Sequence, residues 1–309
     1  MRVLDRQVYW RRRLTALGAV VAPVAVAAAV MGSGDEAERA SQARKVPPAP
    51  ELPRGGRSVF PEHRVVAYYG APQDPQLGAL GIGSPGSAVK RLERQARPYD
   101  RKRRPVLPAL ELITVIANAH PGDDGMYRGR QEDAVIRRYL RAARRAKGLL
   151  LLDIQPGRAD FFSETVRLRK WLKEPDVGLA LDPEWRVSDG EVPGQVIGHV
   201  ESREVNATSA WLAQLVKRSN LPEKLFVIHQ FTDDMVDHTE LKRPDGLAMV
   251  LNVDGFGGRE VKIAKYRSFA REAKEFIPGF KLFYEEDLNL LAPRDVLRLK
   301  PRPQLVVYE

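Results

Sequence analysis

The chain has 309 residues, a net charge of +10 and no cysteine. Apolar residues at 43% and charged residues at 29% place most of it among globular proteins, with length for one large domain or two small ones. The missing cysteines exclude disulfides, thiolate metal sites, a cysteine nucleophile and a lipid-modified cysteine.

At the N-terminus Arg2, Arg6, Arg11, Arg12 and Arg13 precede an uncharged stretch from Leu14 to Met31. A positive flank followed by an apolar segment is the pattern of an export signal. Its length suits either a cleaved signal peptide over 1–31 or a retained membrane anchor over 14–31. The remainder is then expected outside the cytoplasm, in the cell envelope or beyond it. Residues 32–61 alternate charges with Pro47, Pro48, Pro50 and Pro53 and read as a disordered, Pro-rich linker. Two basic clusters follow, Lys90–Arg104 and Arg137–Lys147. They read as solvated helix faces. Without interleaved aromatics they do not suggest a nucleic-acid partner.

From residue 62 to 309 one rhythm repeats: a short apolar run, a polar loop, an amphipathic helix. The runs are Arg64–Tyr69, Ala109–Asn118, Gly148–Gln155, Val177–Glu184, Leu225–Gln230, Gly246–Asp254, Phe280–Glu286 and Gln304–Tyr308. Near-continuous apolarity suits parallel strands covered on both faces, and eight such units predict an α/β fold of the (β/α)8 TIM-barrel type. A doubly wound sheet is the alternative, weakened by the lack of a Gly-x-Gly-x-x-Gly or Walker loop. The eighth run lies at the end of the sequence, so the last helix of a full barrel is expected to be missing or replaced by the segment before the first strand.

Active sites of such barrels lie at the C-terminal ends of the strands. There the chain turns from apolar to polar or aromatic: Tyr68 and Tyr69, Asp153 and Gln155, Asp182 and Glu184, His229 and Gln230, Asn252 and Asp254, Tyr284. Asp182 and Glu184 are two residues apart, so on a strand they would share one side. A carboxylate pair of this kind drives its pKa values apart, which suits acid/base work. Carboxylates, amides and aromatic rings together suit a sugar ligand. The loop Val192–His199 is expected to line the cleft.

Three segments resemble family 18 chitinase-like barrels and, more distantly, family 25 lysozyme-like barrels: Val65–Tyr69, Leu181-Asp182-Pro183-Glu184-Trp185 and Met249–Gly257. The resemblance implies that Glu184 is the general acid for a glycosidic oxygen. Asp182 would orient a 2-acetamido group or stabilise an oxocarbenium-like transition state, and Asp153 or Asp254 would activate water. Trp185, Tyr68 and Tyr284 would stack on sugar rings. The partner would be peptidoglycan or another polysaccharide, with no cofactor and no metal. Gly178 and Ala180 stand where chitinases carry further aspartates, and Val253 where a tyrosine is expected. These departures leave a catalytically silent glycan- or wall-binding barrel as the alternative. A metal-dependent hydrolase using Asp153, Asp182, Glu184 and His229 is a third reading.

Overall fold

Nine strands follow one another along the chain: β1 Arg64–Gly70, β2 Val106–Ala117, β3 Arg128–Arg130, β4 Leu149–Ile154, β5 Val177–Leu181, β6 Lys224–Gln230, β7 Leu247–Val253, β8 Ile277–Leu282 and β9 Leu305–Tyr308. In the computed structural model, which describes residues 48–309, all but β3 are parallel. The sheet runs β1-β9-β8-β7-β6-β5-β4-β2, and the pairing of β1 with β2 closes it. The result is the eight-stranded TIM barrel expected from the apolar runs. Strand β3 is a short antiparallel addition at the C-terminal end of β2. The larger helices are α1 Pro85–Ala96, α2 Asp133–Arg145, α5 Ser202–Arg218 and α6 Arg259–Glu272; α3 Phe161–Arg167, α4 Arg169–Leu172 and α7 Pro293–Val296 are short.

Side-chain parity sorts the core into two apolar clusters. Alternate strand residues such as Val66, Leu110, Leu152, Leu179 and Ile228 point out to the helices. Their neighbours, including Val65, Ala67, Ala109, Leu151, Ala180, Val227 and Val307, fill the barrel, as alternation along a strand requires. Small inward residues are obligatory in places. A Cβ on Gly178 would lie 2.6 Å from Leu151 Cδ2 and from the Leu225 carbonyl oxygen, so no aspartate fits there.

One stretch differs from the sequence expectation. Residues 48–61, expected as part of the linker, belong to the fold: Leu52 and Val59 are buried in the barrel-filling cluster with Leu107, Leu149 and Leu305. Residues 48–62 therefore close the N-terminal end of the barrel rather than standing in for a helix on its outside. The outer face of β9 is covered elsewhere, with the Tyr308 hydroxyl bonded to that of Tyr99 at 2.6 Å. Leu52→Ala should cost about 2 kcal/mol or slightly more, the lower range for truncating a buried leucine. Urea unfolding measures it; an unchanged midpoint would mean that the plug does not support the barrel. The expected signal or anchor segment lies outside the described residues, and among those described no helix is long and apolar enough to cross a membrane.

Candidate active site

Because parity continues past the apolar layers, each of the eight barrel strands delivers at least one inward polar residue above them. These are Tyr69 (β1), Glu111 (β2), Asp153 (β4), Asp182 (after β5), His229 (β6), Asn252 and Asp254 (β7 and just beyond), Lys281 (β8) and Glu309 (after β9). All except Glu309 are buried. Burial of so many charges is tolerable only if they neutralise one another.

They do so through two linked clusters. His229 donates from Nε2 to Glu111 Oε1 at 2.9 Å and from Nδ1 to Asp254 Oδ2 at 3.0 Å. Burial alone would lower the imidazole pKa, but the Asp254 and Glu111 charges outweigh it and hold His229 protonated. Lys281 Nζ lies 3.1 Å from Asp254 Oδ2 and 2.8 Å from Glu309 Oε2, and 3.7 Å from the centre of the Tyr69 ring. Asn252 adds a 2.7 Å donation to Asp254 Oδ1. Burial pushes Asp254 up, yet His229 and Lys281 prevail and bring it down to about 2. Gly279 permits this packing: a Cβ there would lie 2.6 Å from Asn252 Oδ1.

The second cluster centres on the Tyr69 hydroxyl. It lies 3.1 Å from Asp182 Oδ2 and 3.4 Å from Asp153 Oδ2, and accepts from Gln155 Nε2 at 2.9 Å. Burial raises both aspartates, and Asp182 lifts Asp153 further, well above the ordinary carboxylate range. Burial thus favours the protonated form of both carboxyls, and their proximity opposes ionisation of the two together. Asp182 Oδ1 has no hydrogen-bond partner.

Above these groups opens a cavity of about 270 Å³. Its polar lining includes Tyr69, Gln155, Asp182, Glu184, Asp254, Lys281 and Glu309, and Trp185, Phe231, Phe256 and Phe283 form its aromatic walls. Glu184 reaches it differently from the strand-parity argument. Strand β5 stops at Leu181, and Pro183–Trp185 form a 3-10 turn, because proline cannot continue the strand ladder. The turn carries Glu184 and Trp185 onto the wall while Asp182 keeps the inward phase of Gly178 and Ala180. Burial, then the charge of Asp182, push the Glu184 carboxyl up to about 8.

No family model and no curated protein matches this chain.

Of the residues singled out in the sequence, Asp182, Glu184, Trp185, Tyr69, Gln155 and Asp254 line this cavity. Asp153, His229 and Asn252 lie beneath it and touch it only through their neighbours. Tyr68 and Gln230 belong to the opposite parity and turn outward: Tyr68 packs edge-on to Tyr284 and Tyr308, and Gln230 Nε2 bonds to the Thr232 carbonyl. Tyr284 borders a neighbouring cavity. The 192–199 loop contributes no lining residue; Gly198 and His199 instead donate their backbone N–H groups to the carbonyls of Glu184 and Arg186. Sequence reasoning missed Glu111, Lys281, Glu309 and the three phenylalanines. Glu111, Asp153 and His229 each offer one ligand atom within 4.8 Å of the others, the one such group among the described residues. Both ring nitrogens of His229 are already donors to carboxylates, so the imidazolium supplies the charge a cation would bring.

Proposed function

We propose that the barrel is a glycoside hydrolase acting on a glycan, with Glu184 as its general acid. The observation that carries the reading is the Glu184 carboxyl on the wall of an aromatic-lined cavity that also holds Asp182, where burial and the Asp182 charge push it up to about 8. Such a group is protonated at neutral pH and can give its proton to a glycosidic oxygen as the bond to the anomeric carbon breaks. Positive charge then develops at the anomeric centre, where the Asp182 carboxylate opposes it. Water completes the hydrolysis: its oxygen joins the anomeric carbon, and its proton needs a carboxylate. Asp254 is a poor acceptor, since both its oxygens are engaged by His229, Asn252 and Lys281. Asp182, with its free Oδ1, is the better one, acting as base or, in a double displacement, as nucleophile. Asp153 serves by holding Asp182 through Tyr69. Trp185 and Phe256 supply apolar faces for sugar rings.

A binding-only barrel is favoured by one observation, that Asp254 and Glu309, which also line the cavity, are paired with His229 and Lys281. The full-length chain incubated with N-acetylglucosamine-containing glycans and purified peptidoglycan separates the two. Release of reducing ends supports the hydrolase; saturable binding without product would replace it with the binding module. If Asp182 is the second carboxylate, Asp182→Asn should lower turnover by about 10²-fold or more with little change in melting temperature. An equally active variant would remove Asp182 from the chemistry.

A further inference from the structure

Beside the cavity that holds Glu184 lies a second one of about 320 Å³, and Gln76, Glu286 and Glu309 line both. The two are successive reaches of one groove between the loop after β1 and the loop after β8. The second reach carries exposed apolar surface: Tyr284 is 40% exposed and Ile82 49%.

Tyr284 is fixed in advance of any ligand. One face of its ring stacks on Tyr308 with centroids 5.4 Å apart and planes 21° from parallel. Its hydroxyl shares a 3.1 Å hydrogen bond with Tyr68, and its backbone N–H donates to the Glu309 carbonyl at 3.0 Å. The loop is pinned behind it by Asp287, which accepts from the Phe283 N–H at 3.0 Å and pairs with Lys262 at 2.8 Å. The exposed part of the Tyr284 ring lines the groove. A ring already immobilised loses no rotamer freedom on binding, and its electron-rich face suits the C–H surface of a pyranose. Glu285 and Glu286 stand beside it as acceptors for sugar hydroxyls.

Resting on the hydrolase reading for the chemistry, we propose that the second reach is a sugar-binding subsite with Tyr284 as its platform. The substrate is an oligosaccharide or polysaccharide that lies across both cavities. The carboxylates at the junction fit it to an uncharged or amine-bearing unit and set it against uronates.

Calorimetry on the full-length Glu184→Gln variant, with N-acetylglucosamine and glucosamine oligomers from disaccharide to hexasaccharide, tests this without turnover. Affinity should rise by about tenfold, equivalent to about 1.4 kcal/mol, once an oligomer is long enough to reach Tyr284. Adding Tyr284→Ala should erase that increment, and adding Tyr284→Phe should keep it. Parent hydrolysis rates on the same oligomers should rise with length, and oligogalacturonides should not bind. Cleavage with no dependence on length overturns the subsite while leaving the hydrolase intact. Length-dependent binding lost with Tyr284→Ala, but with no cleavage by the parent, supports the subsite and removes the hydrolase reading. Binding of no oligomer at any length, or an increment indifferent to Tyr284→Ala, overturns the subsite.

Discussion

Glu184→Gln is expected to lower turnover by about 10²–10⁴-fold, the range that a positioned proton donor contributes, while leaving the melting temperature nearly unchanged. The amide keeps the shape of the acid and sits on a half-buried turn rather than in the packed interior. It cannot deliver a proton to a leaving oxygen. The pH profile provides the sharper test. A general acid works protonated, and the Glu184 carboxyl is raised to about 8, so parent activity should hold below that pH and fall above it. The residual activity of Glu184→Gln should lack this alkaline limb. A substrate with a dinitrophenyl leaving group, which needs no protonation, should lose far less rate than a natural glycoside. Equal losses on both substrates would mean that Glu184 holds the sugar rather than protonating it.

How much of this could be read from the chain depends on which physical signal each residue gives. Apolar runs located all eight barrel strands, since a strand covered on both faces must be apolar throughout. The site was legible where a strand ends in polar residues, as at Leu181-Asp182-Pro183-Glu184. It was obscured where a charge sits inside an apolar run. Glu111 in Ala-Leu-Glu-Leu-Ile and Lys281 in Phe-Lys-Leu-Phe each look like an interruption of an apolar run. Yet Glu111 falls in phase with Ala109 and Ile113, and Lys281 with Gly279, so counting by twos would have aimed both inward. The same count separates Tyr69 from Tyr68 and His229 from Gln230, each a pair of which only one member can face the barrel. Leu52 and Val59 were hidden for a different reason: Pro-rich surroundings lower the local average, and two well-placed anchors suffice to order a plug.

Lys281→Met is expected to destabilise the fold by about 3–5 kcal/mol, the cost of stranding a buried partner charge. Methionine nearly matches the lysine stem in length and packing, so the loss isolates the charge. In the variant Asp254 keeps only His229 as a charged partner, Glu309 keeps none, and the net charge of the barrel interior shifts by one towards negative. Removing a second charge should relieve this. Lys281→Met with Glu309→Gln is expected to recover part of the loss, and the double-mutant cycle gives the coupling. Acid adds a signed test. The Asp254 pKa lies near 2 against an ordinary 3.8, so its contribution to stability is complete above 3.8 and is lost as pH falls through 2. Without Lys281 the Asp254 pKa rises towards its ordinary value, and the acid-unfolding midpoint should move to higher pH. A variant as stable as the parent, with an unmoved acid midpoint, would show that Lys281 is not what holds Asp254 ionised, and that His229 alone sets the charge of the barrel interior.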